Sequence, residues 1–397
     1  MSSLRLALVT RRFWPLVGGA EMVMANLAEE LTRQGHHVQI VTAQWHPNWP
    51  KQISHRGIPV VRLPNPSLRG WGTVRYMMGL GRWLRSQENE LDAVYVSMLK
   101  HSAVVATSRL RNSKVPVILR AEGAGETGDC AFHESANFGQ RIRRSCQAAD
   151  GFVAPSQQIF DEMVSAGFSR EKIRFIPNGV QVGPERTAQQ RREARAALAA
   201  ANPILTLAES APLVVFTGRL HPGKGLTRAV RAWPFVLQKF PNARLWIVGE
   251  GPQESELTAM VDAMGLQSRI ILPGAFDTVE DVLAAADMFL LPSHHEGMSI
   301  ALLEAMAATL PCIVSDIPGN RILIQPEENG LIFPVDDHNT LAAHLVRVME
   351  DQELAAKLGH AAKNRVIEHF SLERSTLDHV ALFEKLRETK RLLRPAP

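Results

Sequence analysis

Short apolar runs alternate along the chain with longer stretches whose apolar residues repeat every three or four positions. Runs at 4–10, 38–42, 60–63, 93–97, 115–120, 151–154 and 174–176 read as strands, and a helix is predicted at 21–33 behind a Gly-rich turn. Asn178-Gly179 marks a further turn. A polar, Ala- and Arg-rich segment at 183–201 then predicts a helix with few large apolar residues. The alternation restarts with strands at 213–217, 244–248, 270–272, 288–291, 312–315 and 331–333, and closes on a long basic helix at 372–393. Two βαβ series separated by a polar stretch predict an α/β protein of two doubly wound parallel-sheet domains facing across a cleft. The expected divisions are 1–180, a helical connector at 181–210, a second domain at 211–371, and a last helix at 372–397 returning to the first domain. Ligands of such sheets bind beyond the carboxyl ends of the strands.

One stretch concentrates the chemistry expected there. The run 288–291 ends at Pro292, a loop follows, and helical spacing begins at Ser299, a good N-cap residue, with Ile300, Leu303 and Ala307 on one stripe. Glu296 then sits in the loop at the carboxyl end of a strand, and Glu304 lies in the second helical turn. Between them the amides of Gly297, Met298 and Ser299 face outward at the positive end of the helix, a natural seat for phosphate. Read without support, this is two solvated glutamates flanking a helix start.

The support comes from 216–225, Phe-Thr-Gly-Arg-Leu-His-Pro-Gly-Lys-Gly, another strand end leading into a helix. Gly218 permits close backbone approach, while Arg219 and Lys224 place two cations where a diphosphate could lie. Gly218, Gly223 and Lys224 satisfy most of a P-loop pattern, but position 225 is Gly where a Mg²⁺-holding Ser or Thr is needed. An NTPase reading is therefore rejected. Residues 123–128 match Gly-x-Gly-x-x-Gly, yet Ala121 and Glu122 intervene after the strand and Asp150 stands before a strand, so no NAD site is expected. Gly18-Gly19-Ala20-Glu21 lets the backbone bend toward a ligand at the first helix, and the turn at Gly249 could flank a base or ribose. His294 and His295 lack ligand-spaced partners, and no Asp-x-Asp occurs, so no protein-bound metal is expected.

Composition adds two things. Three cysteines without metal spacing indicate reduced thiols and a cytoplasmic location, and the short run 4–9 is too small for a signal peptide. The first 180 residues carry 22 Lys+Arg against 14 Asp+Glu, and the remainder 22 against 26. That basic half suits an anionic partner: phosphate groups or a membrane surface, with nucleic acid disfavoured because no motif accompanies the charge. Residues 68–85 mix arginines with Trp71, Tyr76 and Trp83, which fits an interfacial helix at the inner membrane face or a surface helix whose aromatics face the core.

Taken together, Gly18-Gly19-Ala20-Glu21, Asn178-Gly179-Val180, Gly218-Arg219-Leu220 with Lys224-Gly225, the 248–252 turn, and Glu296 with Glu304-Ala305-Met306 resemble glycosyltransferase family 4, the group 1 transferases. The resemblance covers nearly the whole chain in the right order. It implies a GT-B fold of two Rossmann-like domains. The implied activity is retaining, metal-independent transfer from a nucleotide-sugar to an acceptor hydroxyl, with no cofactor. By that likeness Arg219 and Lys224 neutralise the donor diphosphate, Glu304 holds the ribose, and Glu296 contacts the transferred sugar. The amides of Gly297, Met298 and Ser299 would meet the sugar or phosphate, and the Gly18-Gly19 loop would close over the diphosphate. The family often carries a His after the strand here ending at Arg120; this chain has Ala121-Glu122-Gly123, so Glu122, or His101 after the preceding strand, is the acceptor-side candidate. The family's further acidic residue is replaced at Gly319-Asn320-Arg321-Ile322. The expected partners are a nucleotide-sugar and a glycan or lipid-linked acceptor. A catalytically weak sugar-nucleotide-binding module and a GT-B sugar-nucleotide epimerase are the rivals.

Overall fold

The computed structural model describes residues 3–16, 18–67, 70–276 and 278–393. Two compact units divide the chain, one formed by Met1–Gly179 with Leu372–Pro397 and the other by Val180–Ser371.

The first unit is built on eight strands: β1 (Arg5–Val9), β2 (His37–Gln44), β3 (Gln52–His55), β4 (Ile58–Pro64), β5 (Ala93–Ser97), β6 (Val117–Arg120), β7 (Gly151–Ala154) and β8 (Ile173–Phe175). Their order is β3-β4-β2-β1-β5-β6-β7-β8. All neighbours are parallel except β3, which pairs antiparallel with β4 through a two-residue turn at Arg56-Gly57, both at positive φ. Alternation along each strand splits the core into two layers. Ala7, Val9, Val94, Val96, Val117 and Leu119 bury on one face, and Leu6, Leu8, Tyr95, Ile118 and Val153 on the other.

The helix Leu372–Leu393 completes the second layer with Val380, Leu382 and Phe383. Its basic residues are used in docking: Lys390 Nζ donates to Asp150 at 2.6 Å and Arg391 to Asp92 at 3.0 Å. At the sheet centre His379 Nδ1 faces the Ser375 carbonyl at 2.7 Å, so that nitrogen carries the proton and Nε2 accepts from the Tyr95 hydroxyl at 2.9 Å. Burial lowers the His379 pKa to about 4. Because the folded value lies below the unfolded one near 6.5, the unfolded chain binds the extra proton between these limits, and stability falls as pH drops through that window. The expected loss is about 3 kcal/mol, measurable as a fall in urea midpoint from pH 7 to pH 4 that is blunted in His379→Gln.

The second unit holds β9 (Leu213–Thr217), β10 (Arg244–Val248), β11 (Ile270–Ile271), β12 (Met288–Leu291), β13 (Cys312–Ser315) and β14 (Leu331–Phe333). The sheet is parallel with order β11-β10-β9-β12-β13-β14. The segment expected to be a separate connector belongs to this unit. Its helix Ala188–Ala201 buries only Ala194, Arg195 and Leu198, and guanidinium groups do the anchoring. Arg195 donates to Asp287 at 2.7 Å and to the Ala285 carbonyl at 2.9 Å, Arg191 also pairs with Asp287, and Arg186 caps the carbonyls of Leu283 and Ala284. Asp287 is thus a structural anchor at the amino end of β12.

Candidate active site

Strand order selects where the loops gather. In the second unit the chain runs outward from β9 to β11 and then returns to place β12 on the other side of β9. The loops leaving the carboxyl ends of β9 and β12 are therefore neighbours at the point where the order reverses, the usual ligand position of an open α/β sheet.

The loop after β9 turns through the short 3₁₀ segment Pro222–Lys224, where His221 Nδ1 accepts from the Gly223 amide at 3.2 Å. It ends at Gly225, φ +66°, where a Cβ would stand 2.0 Å from the Pro292 carbonyl oxygen. Only glycine fits that contact, which brings the two loops together. The His294 amide then donates to the Gly223 carbonyl at 2.8 Å. Across this seam Lys224 Nζ donates to Glu296 Oε1 at 2.6 Å, and Ser293 Oγ reaches the same oxygen at 2.7 Å. Both charged side chains keep partial exposure, 26% for Lys224 and 11% for Glu296. Arg219 is exposed at the start of the loop and forms no hydrogen bond or ion pair with the described residues. Gly218 lies backbone-to-backbone with Gly249, whose Cβ would sit 1.9 Å from the Gly218 carbonyl oxygen.

Ser299 caps the helix Ile300–Ala307, its hydroxyl accepting from the Leu302 amide at 3.3 Å. Met298 and Ser299 are buried, Gly297 and Glu304 half-buried. The structure joins the Lys224 ammonium to the Glu296 carboxylate just ahead of this helix, with Arg219 exposed earlier in the β9 loop and Glu304 in the second helical turn; a cation, a carboxylate and a helix start are chemically suited to a diphosphate carrying a hydroxylated group.

Several participants carry no motif signal. Ser293 is fully buried beneath Glu296. Arg228 supports the floor, donating to the Pro292 carbonyl at 2.9 Å and to the His294 ring, while burial and then Arg228 lower the His294 pKa. Gly319 lies where a Cβ would stand 2.1 Å from the Glu296 carbonyl oxygen, so the Gly319-Asn320 segment abuts the acidic loop.

The remaining candidates lie in the first unit, around its own reversal between β1 and β5. Gly18 is the N-cap of the helix Gly19–Arg33 without a side-chain cap, and the Glu21 carboxylate folds back to within 2.7 Å of where a Gly18 Cβ would be. Gly19 has open space beside it. His101 begins the helix His101–Arg109 after β5, half-buried, with its pKa lowered by burial and then by Arg11 and Lys100.

Glu122 is placed differently from an available acid or base. One oxygen accepts from Ser97 Oγ at 2.7 Å and the other is ion-paired with buried Arg120, which also donates to Asn178. Its amide is held by Asp129 at 2.8 Å. Within 123–128 a short 3₁₀ turn spans Gly125–Thr127, and Asp150 accepts from the Val117 amide and from Lys390.

Comparison with known proteins places both units in one family. Residues 18–179 match the family model described as a glycosyl transferase 4-like domain, and residues 200–365 the one described as glycosyl transferases group 1. The chain is 22% identical over 387 residues to N-acetyl-alpha-D-glucosaminyl L-malate synthase of Bacillus anthracis, covering 95% of this chain and 97% of that protein. It is 31% identical over 204 residues, 51% of each chain, to UDP-Gal:alpha-D-GlcNAc-diphosphoundecaprenol alpha-1,3-galactosyltransferase of Escherichia coli. In fold it is similar to sucrose-phosphate synthase from Thermosynechococcus elongatus, with TM-score 0.78 and 22% identity over 97% of this chain and 100% of that one.

Proposed function

Because the chain belongs to the group 1 glycosyltransferases of GT-B type, we propose that it moves a sugar from a nucleotide-sugar donor to a hydroxyl of a glycan or lipid-linked acceptor, retaining anomeric configuration without a protein-bound metal. The observation that carries this reading is the Lys224–Glu296 pair joined across the seam between the β9 and β12 loops. A donor diphosphate laid on Arg219 and Lys224 has its charge neutralised as it leaves, which is the role a divalent cation fills elsewhere. Glu304 holds the ribose hydroxyls, Glu296 a hydroxyl of the sugar, and the amides of Gly297, Met298 and Ser299 the remaining oxygens.

The bond from the sugar anomeric carbon to the phosphate oxygen breaks, and the acceptor oxygen bonds that carbon from the same face. The acceptor proton passes to the departing diphosphate. The galactosyltransferase relative, whose name specifies a UDP-sugar and a diphosphoundecaprenol-linked acceptor, supports the donor and acceptor classes. A cytoplasmic setting agrees with the three unpaired thiols Cys130, Cys146 and Cys312.

Nucleoside diphosphate release across a panel of sugar nucleotides and acceptors tests the reading. Release should require acceptor, persist in EDTA, and give a product with the donor's anomeric configuration by NMR. An inverted product, or activity abolished by EDTA and restored by a divalent cation, would overturn the corresponding part. Glu296→Ala is expected to lower kcat with little change in donor affinity, whereas Glu304→Ala should chiefly weaken donor binding. Steady-state kinetics beside donor titration separates the two.

A further inference from the structure

One surface of the first unit carries none of the residues assigned to the transfer chemistry. Residues 31–87 contain eight Lys+Arg and no Asp or Glu. Within them the helix Trp71–Gln87 turns Tyr76, Leu80 and Leu84 into the core. Its opposite face exposes Trp71 (48%), Val74 (43%) and Met78 (40%) at helical spacing. Arg75, Arg82 and Arg85 stand exposed on the same helix. Arg109 of the neighbouring helix lies across Gly81, its Nε 2.9 Å from where a Cβ would be. Exposed Trp45 is tied to this face through Arg11, which stacks 5.4 Å from the Trp45 ring and donates to Thr73 Oγ1 at 2.6 Å. The first acidic residues met beyond the helix are Glu88 and Glu90, and Glu90 is paired with Arg5. Leu68 and Arg69, the start of the stretch singled out in the sequence, lie outside the described residues.

We propose that this face, Trp71, Val74 and Met78 with Arg75, Arg82 and Arg85, binds the surface of an anionic lipid bilayer. An aqueous partner with acidic groups alone would leave the exposed indole, valine and methionine in water. A purely apolar partner would desolvate three arginines without compensation. The boundary between lipid headgroups and acyl chains satisfies both: apolar side chains enter, and guanidinium groups stay at the phosphate level. The binding is to a surface, since no helix among the described residues is long and apolar enough to cross a membrane. It does not depend on which sugar is moved or whether transfer occurs.

Co-sedimentation of the full chain with vesicles of phosphatidylcholine alone, and of equimolar phosphatidylcholine and phosphatidylglycerol, tests this. Binding should require phosphatidylglycerol and weaken as salt rises from about 0.1 M to about 1 M, where screening shortens from ~10 Å to ~3 Å. The set R75Q, R82Q and R85Q should lower the partition coefficient by about a hundredfold, near fivefold per arginine. The set W71S, V74S and M78S should lower it without changing its salt dependence. All six side chains are exposed, so thermal unfolding should stay at the wild-type temperature. Should either set fail to fold, the wild-type protein still decides, because vesicles should blue-shift tryptophan emission and Trp71→Phe should remove most of that shift. Equal binding to both vesicle types, no binding at low salt, or unchanged binding in both sets would overturn the proposal. So would retention on a soluble polyanion without vesicle binding.

Discussion

Replacing Lys224 or Arg219 by alanine is expected to lower kcat by two to three powers of ten, about 3–4 kcal/mol of lost transition-state stabilisation. The magnitude follows from where negative charge develops. As the bond to the anomeric carbon opens, the diphosphate gains charge, and a cation fixed beside it acts more strongly in the transition state than on the bound donor. Arg219 is already exposed at its loop, whereas Lys224 is held by Glu296 at 2.6 Å. Arg219→Ala should therefore act independently of position 296. Lys224→Ala also strips Glu296 of its cation, so Lys224→Ala and Glu296→Ala should combine to less than the sum of their separate effects. Single-turnover rates for the two single variants and the double variant measure that coupling. Near-normal rates in both basic-residue variants would remove the basis of the proposed reaction.

Arg120→Leu is expected to destabilise the first unit by about 3–5 kcal/mol, the usual result of leaving one partner of a buried ion pair behind. Arg120 and Glu122 side chains are 2% and 10% exposed, and burial already pushes the Glu122 carboxyl pKa up against the opposing pull of Arg120. Without the guanidinium that shift grows. Its folded value then lies further above the unfolded one, so the native state favours the protonated acid. The penalty of the variant should accordingly be small near pH 4 and increase as pH rises toward 8. Urea unfolding at the two pH values shows this directly. The double variant Arg120→Leu with Glu122→Leu should recover most of the loss, because the charge that needed a partner is gone. Equal destabilisation at both pH values would mean that packing, and not the carboxylate, sets the effect.

Glu122 also shows where sequence reasoning reaches its end. Standing where the resembled family often carries a His made it an acceptor-side candidate, yet both carboxylate oxygens are occupied, by Ser97 and Arg120. Neither partner is announced by a motif. Strand β3 has no sequence signal for another reason: Gln52–His55 is a half-exposed edge with no apolar run, joined to β4 by Arg56-Gly57 in place of a stronger turn signal. The segment 181–210 looked detached because it has few large apolar residues, and three guanidinium groups anchor it instead.

What the sequence determined by itself is the repeating α/β pattern, the strands buried on both faces, the Ser299 cap and the family motifs. Each depends on neighbours a few positions apart, so burial and hydrogen bonding leave a periodic record in the residues themselves. Only the tertiary structure decided that Lys224 meets Glu296, 72 positions away, and that the sheet order sets the β9 and β12 loops side by side. It alone decided, too, that Arg120 occupies Glu122 and that one helix turns Tyr76 inward and Trp71 outward. Pairings between charges carried on distant loops have no period along the chain; they exist once parallel strands are stacked in one particular order, and that order is a property of the whole sheet.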